Sequence, residues 1–270
     1  MDATANIIDV KNLTKKFGDF VAVNDISFAV KPGERFAFLG PNGAGKSTTI
    51  KMLTTLLAPT SGTISVAGHD PTREANGVRK AIGIVFQDPS LDEDLTAWEN
   101  MEFHGVLYGV PQALRRERID QLLKFVDLDN RKNSLVKEFS GGMKRRLEIA
   151  RGLLHHPKIM FLDEPTLGLD PQTRNHMWQY LHNLNKEEAV TVFFTTHYME
   201  EADRVAERIA VIDHGKIVAI GSGAELKQQT GKESLEDAFL ALTGHAIREE
   251  EASAADRFRM MGRAWRGRGR

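Results

Sequence analysis

The nine residues Gly40-Pro41-Asn42-Gly43-Ala44-Gly45-Lys46-Ser47-Thr48 stand between the apolar run Arg35 to Leu39 and a run with helical character from Thr48 to Leu57. They fit GxxxxGK[ST], and they fit it with a strand before and a helix after, the setting the motif demands. A loop that wraps a polyphosphate turns its backbone N–H groups inward. It therefore needs residues such as Gly40, Gly43 and Gly45, which adopt unusual torsions and let the backbone come close. Lys46 would neutralise charge on the β- and γ-phosphates, and the Ser47 hydroxyl would ligate Mg²⁺. Taken alone, the loop leaves kinases, GTPases and motor ATPases open.

Outward from this loop, short β-branched and aromatic runs recur at Ile7 to Leu13, Val21 to Val30, Arg35 to Leu39, Ile82 to Phe86, Lys158 to Leu162, Val190 to Thr195 and Ile209 to Ile212. These read as strands. The unbroken apolar stretch Ile159 to Leu162 implies burial on both faces, the mark of a central parallel strand in an α/β sheet. Asn24, Asp25 and Ser27 interrupt the run from Val21 to Val30, which predicts a partly exposed antiparallel β layer near the N-terminus. From about Asp88 the strand signal disappears. Ile119, Leu122, Leu123 and Val126 repeat at i, i+3, i+4 and i+7, predicting a helical insertion at about 88–155. Asp213-His214-Gly215-Lys216 lies between apolar runs and reads as a hairpin turn. The expected fold is thus α/β: a P-loop NTPase core with a mostly parallel sheet, an N-terminal antiparallel β layer and a helical subdomain insertion.

Composition narrows the class. The 270 residues are 41% hydrophobic and 27% charged, enough for a real core, and the net charge of −1 gives no sign of a nucleic-acid binder. There is no cysteine, so no disulfide scaffold or thiolate zinc site is possible. No apolar run approaches the roughly 20 residues of a membrane-spanning helix, and Met1 to Asp9 does not read as a signal peptide. The expectation is a chain that stays in the cytosol. Between 257 and 270 there are six arginines, three glycines and no acid, which reads as a charged tail with little apolar surface to bury.

Two further signals carry chemistry. Ile159-Met-Phe-Leu-Asp163-Glu164 puts an aspartate at the carboxyl end of a buried strand, where α/β sheets bind ligands, with a glutamate beside it. Asp163 can hold Mg²⁺ through water, and Glu164 can orient and deprotonate an attacking water. Ser140-Gly141-Gly142, ahead of the amphipathic run Leu147 to Leu154, forms a second anion-binding helix start. One nucleotide needs only one such cradle. The second is explained if it caps a nucleotide held by another subunit.

With these motifs in this order, the chain resembles the nucleotide-binding subunit of an ATP-binding-cassette (ABC) transporter over about residues 7–244. The resemblance implies one ATPase domain at 1–245, with the helical subdomain inserted at about 88–155, and a separate arginine-rich tail at 246–270. It implies that Gln87 is a lid glutamine touching Mg²⁺ and the attacking water, and that Ser140, Gly141 and Gly142 complete the opposite subunit's site. Gly168-Leu169-Asp170 looks like the loop that crosses the dimer interface, His197 like the γ-phosphate sensor, and Phe17 like the aromatic that stacks on adenine. The nucleotide cradle would be Gly40, Pro41, Asn42, Gly43, Ala44, Gly45, Lys46, Ser47 and Thr48, and the metal ligands Ser47, Gln87 and Asp163. His155 and His156, before Pro157, read as capping or solvent-facing residues.

The chain departs from the family's usual Leu-Ser-Gly-Gly-Gln by having Phe139 and Met143, and from its usual stacking tyrosine by having Phe17. The serine and both glycines are intact. Ser234 to Gly244 resembles the subfamily that energises exporters of drugs, lipids or polysaccharides. The implied partners are a second copy of the chain over two Mg-ATP and an integral membrane permease, which would hold the subunit at the cytoplasmic face of the membrane. The arginine tail, with Trp265 in it, adds a possible contact with anionic lipid. The competing reading is a soluble ABC-type ATPase acting on DNA or the ribosome; such relatives typically carry paired cassettes, a long coiled coil or zinc cysteines. A GTPase fails because Asn185-Lys186-Glu187-Glu188 is not the Asn-Lys-x-Asp base reader.

Overall fold

The computed structural model describes residues 6–244, so the arginine-rich tail lies outside the described residues. In chain order, β1 (Ile8–Phe17) and β2 (Phe20–Val30) form an antiparallel hairpin, and β3 (Arg35–Leu39) leads through the phosphate loop into α1 (Lys46–Leu53). β4 (Ser61–Val66), α2 (Ala75–Ala81) and β5 (Ile82–Val85) follow. Three helices come next: α3 (Ala97–Leu107), α4 (Gln112–Phe125) and α5 (Gly141–Leu153). The remainder is β6 (Ile159–Asp163), α6 (Pro171–Glu188), β7 (Thr191–Thr196), α7 (Met199–Val205), β8 (Arg208–Asp213), β9 (Lys216–Gly221), α8 (Gly223–Thr230) and α9 (Leu235–Thr243).

The strands make two layers. One is the antiparallel sheet β2-β1-β4; the other is β5-β6-β7-β3-β8-β9, parallel throughout except for the β8–β9 hairpin. Both the parallel sheet and the antiparallel layer match the sequence expectation. Strand periodicity explains how the layers close. Phe36 and Phe38 face one way on β3 and join Phe28, Phe161 and Phe193 in an aromatic cluster with centroids 5.0–6.1 Å apart, packed between the sheets. Ala37 and Leu39 face the other way, into a second core with α3 to α7. β6 and β7 are buried at every position, as the continuous apolar runs foretold.

Three local readings change. β1 continues to Phe17 rather than stopping at Leu13, because register shifts after Val10 and Leu13 let exposed Lys11 and Asn12 sit in a strand that keeps pairing. β4 escaped the sequence reading: it is short, begins with Ser61 and Gly62, and is exposed over its first half. His155 is not solvent-facing. Its ring stacks on Tyr108 at 3.9 Å, its Nε2 lies 2.9 Å from the Ile82 carbonyl, and burial pushes its pKa down. His156 is exposed, with Nδ1 2.8 Å from the Arg118 guanidinium.

The helical segment starts cleanly. Thr96 caps α3 in a capping box with Glu99, and Ser140 caps α5 by accepting from the Met143 N–H at 3.3 Å. Phe139 is buried in the core beneath this start, and Met143 packs against the same core. The two departures from the usual signature are therefore packing positions. His214 (φ 47°) and Gly215 (φ 75°) make the tight turn between β8 and β9, as Asp213 to Lys216 predicts.

Candidate active site

Parallel pairing brings the carboxyl ends of β3, β6 and β7 level: Leu39 faces Thr196 and Asp163 faces Thr195. The phosphate loop leaves β3 at this edge. Gly45 caps α1 at φ 104°, and a Cβ there would lie 2.6 Å from the Ala22 carbonyl, so no other residue fits without moving backbone. Lys46 follows at the first helical position and is buried. Its Nζ donates to the Gly40 and Pro41 carbonyls at 2.8 and 3.1 Å and lies 3.1 Å from Glu164 Oε1. The ammonium thus sits between its own loop and the end of β6.

Ser47 Oγ donates to Asp163 Oδ1 at 3.1 Å, and the Thr195 hydroxyl donates to the same oxygen at 2.7 Å. Thr195 Oγ1 also accepts the Glu164 N–H at 2.9 Å, so one hydroxyl fixes both acidic residues. Glu164 itself has φ 47°, a left-handed conformation uncommon for a non-glycine residue. Its other oxygen, Oε2, is 3.0 Å from His197 Nδ1. A carboxylate only accepts, so Nδ1 carries the hydrogen. Burial alone would push the Glu164 carboxyl up, but the His197 hydrogen bond and the Lys46 charge outweigh it and hold the group at about 2. A buried chain Lys46–Glu164–His197 results, with the Ser47–Asp163 pair beside it.

The remaining sequence candidates lie around this chain. Gln87 is exposed on the loop after β5. Asp170 caps α6, accepting from the Gln172 and Thr173 N–H groups at 3.1 and 3.0 Å and from the Thr173 hydroxyl at 2.6 Å, and the Thr173 bonds hold its carboxyl below the usual range. Gly142 packs against the same turn; a Cβ there would come within 2.6 Å of Thr173 Cγ2. The α5 start and the Asp170 loop thus pack together, and among the described residues Ser140, Gly141 and Gly142 make no hydrogen bond to the side chains of Lys46, Glu164 or His197. Phe17 is half exposed, with Lys15 Nζ 5.1 Å from its ring centre, so it is not a core residue.

Sequence reasoning missed several members. Thr195 was hidden inside an apolar strand, and only its place two residues before His197, which directly follows that strand, marks it. Phe20, paired with Phe17 across the hairpin, is 64% exposed and lines a cleft of about 200 Å³ with Val21, Ala22 and the phosphate-loop residues Pro41 to Ala44. Arg174, with its guanidinium 4.6 Å from the Tyr198 ring centre and Nε 3.4 Å from buried Glu201, borders a second cleft beside His197.

For a magnesium ion the donor chemistry fits. A hydroxyl and a carboxylate already in contact, Ser47 and Asp163, are the hard oxygen ligands that ion prefers, and both lie at the mouth of the phosphate loop.

Residues 23–167 match the family described as ABC transporter. The linearmycin resistance ATP-binding protein of Bacillus subtilis is 41% identical over 243 residues, 90% of this chain and 76% of that protein. The daunorubicin/doxorubicin resistance ATP-binding protein of Streptomyces peucetius is 45% identical over 228 residues, covering 84% and 69% of the two chains. Among solved structures, a dimeric ATP-binding cassette in a post-hydrolysis state, bound to ADP and Pi, superposes with a TM-score of 0.73 at 32% identity, over 80% of this chain and 98% of that one.

Proposed function

The chain belongs to the ATP-binding subunits of ABC transporters, and from that premise we propose that two copies close over two ATP molecules and drive export through a separate membrane permease. The observation that carries this reading is the split site. The Lys46–Glu164–His197 group is buried at the strand ends, while Ser140, Gly141 and Gly142 start α5 beside the Asp170 turn and, among the described residues, make no hydrogen bond to that group. Two copies facing each other would join the buried group of each to the α5 start of its partner. One composite site would then take Lys46, Asp163, Glu164 and His197 from one copy and Ser140 from its mate.

Within that site the residues have distinct tasks. Lys46 exchanges the Gly40 and Pro41 carbonyls and Glu164 for the β- and γ-phosphates. Glu164, relieved of that cation, takes the proton of the water that attacks the γ-phosphorus, as the bond to the β-phosphate oxygen breaks and ADP leaves. His197 holds the Glu164 carboxylate in place through Nδ1–H and turns its other edge toward the γ-phosphate. Ser47, Asp163 and, once its loop closes, Gln87 would hold Mg²⁺, which supplies charge neutralisation on the phosphates. Phe17 supplies a flat apolar face for the base, with Phe20 beside it.

Export is supported by relatives named for drug resistance and by the resemblance of the 234–244 segment to exporters. The permease needs a docking surface, and Leu91 to Trp98 turns much of its apolar surface inward: Leu91 and Trp98 pack against the core and Ala97 is buried. Phe103, Val106 and Leu107, spaced i, i+3, i+4 on α3, are exposed by 61, 55 and 67%, and α3 is therefore the better contact. No helix among the described residues is long and apolar enough to cross a membrane, and attachment through the permease at its cytoplasmic face is the proposed location. Arg257, Arg259, Arg263, Arg266, Arg268 and Arg270 would add contacts to anionic headgroups, each worth about 1 kcal/mol. The experiment is ATPase activity against protein concentration, followed by capture of membrane partners. Specific activity that rises with concentration, and a captured permease, support the reading; concentration-independent activity with no membrane protein captured favours the soluble ATPase.

A further inference from the structure

Arg145 is buried on α5, one turn after the Ser140 cap, with its side chain 8% exposed and that of its partner Glu148 2% exposed. A guanidinium removed from water to this extent needs its donors matched. Nε donates to the Pro165 carbonyl at 2.9 Å, Nη2 to the Glu164 carbonyl at 3.3 Å, and Nη1 to both the Phe86 carbonyl and Glu148 Oε2, the latter at 3.2 Å. Those carbonyls are not scattered. Phe86 immediately precedes Gln87, and Glu164 and Pro165 form the turn that follows β6.

The same helix face ties the loop after Gln87. Glu148 Oε1 accepts from the Ser90 N–H at 2.8 Å, and Arg151 donates to the Ser90 carbonyl at 2.8 Å and to its hydroxyl. Arg145, Glu148 and Arg151, three residues apart, thus bracket Phe86 to Ser90. Glu164 is held in its left-handed conformation from two sides, by Thr195 at its N–H and by Arg145 at its carbonyl. Such a conformation persists only where the surroundings fix it.

We propose that Arg145 is a positioning residue for ATP hydrolysis, joining the α5 start that caps the partner's nucleotide to the loop of Gln87 and the backbone of Glu164 in its own site. The inference rests on the reading of Glu164 as base and Ser140 as cap. One planar group with donors on three nitrogens reaches three carbonyls at once, which a lysine ammonium on a flexible stem does not do. A shift of α5, on engaging nucleotide across the interface, is then felt at both Gln87 and Glu164.

The test compares the steady-state ATPase of the full chain with that of Arg145→Lys, Glu148→Gln and Glu164→Gln. Arg145→Lys keeps the charge facing Glu148 but loses the triple contact. It is expected to lower kcat at least tenfold while KM for ATP stays within threefold. Glu148→Gln leaves the three carbonyl bonds in place and is expected to lower kcat by no more than threefold. A merely structural role would lower the unfolding temperature of both variants and leave kcat of the folded protein unchanged. Turnover of Arg145→Lys within twofold of the parent, or equal losses in both variants, overturns the inference. Should Arg145→Lys fail to fold, Arg145→Met/Glu148→Leu removes both buried charges together and is held to the same kcat and KM limits. Full turnover in Glu164→Gln would instead remove the underlying reading; an inactive Glu164→Gln beside a normal Arg145→Lys would remove only this one.

Discussion

Replacing Glu164 by glutamine should destabilise the nucleotide-free protein in a pH-dependent way. The carboxyl is held at about 2 against an ordinary 4.5, and the side chain is only 8% exposed, so solvent screening is small. A difference of about 2.5 units at about 1.4 kcal/mol per unit is about 3 kcal/mol, the lower end of the range for breaking a buried ion pair. Because the folded value lies below the unfolded one, this contribution is complete well above pH 4.5 and is lost as the pH falls from there toward 2. Glutamine resembles the protonated acid at every pH. Denaturant unfolding of the parent and the variant, without nucleotide, should therefore differ by about 3 kcal/mol at pH 7, or about 6–12 °C in Tm, and converge as the solution is acidified from about pH 5. A gap of the same size at pH 3.5 and pH 7 would refute the argument, since it would come from packing and not from charge. The substitution also frees Lys46 from its anionic partner, so ATP should bind at least as tightly as in the parent while hydrolysis falls by roughly 10²- to 10⁴-fold. The mark of this variant is a less stable apo protein that forms a longer-lived ATP dimer, measured by sedimentation with and without ATP.

Ser140→Arg should depress ATPase activity while nucleotide titration of the monomer shows ATP still bound at the phosphate loop; loss of both would place Ser140 in the chain's own site. Phe17→Ala should weaken ATP and GTP alike by about 1–3 kcal/mol, the scale of aromatic stacking on a base. An unchanged affinity there, with the loss appearing in Phe20→Ala, would move the stacking face across the hairpin. Single cysteines at 103 and 107, in a chain with no native cysteine, should crosslink to a membrane partner in native membranes more strongly than cysteines at 92 to 98. The reverse preference would place the contact on the loop after Gln87. Gly45→Ala should abolish nucleotide binding, because the Cβ meets the Ala22 carbonyl at 2.6 Å; retained binding, measured by fluorescent-nucleotide titration, would show that the α1 start can shift.

Much of this was legible in the chain because its signals are local. The phosphate loop lies within nine consecutive residues, Asp163 and Glu164 follow an apolar run that reads as a doubly buried strand, and the serine and glycines before α5 are a cap that sequence alone displays. What was not legible depends on residues distant in the chain. β4 becomes a strand because β1 offers it an edge, not because Ser61, Gly62 and Thr63 favour one. His155 reads as a polar helix end until Tyr108 is known to lie against it, and Phe20 is an ordinary strand residue until Pro41 to Ala44 appear opposite. Arg145 is the strongest case. In sequence it is one of three consecutive basic residues, Lys144, Arg145 and Arg146, and such a run is usually a solvated helix face. The helix separates them: Lys144 pairs with Glu93, Arg146 reaches the Val126 carbonyl at 2.7 Å, and Arg145 alone turns inward to Phe86, Glu164 and Pro165. A hundred degrees of helical rotation between neighbours is enough to give three similar residues three different environments, and which of them faces the catalytic loops is fixed by how α5 packs beneath β5 and β6.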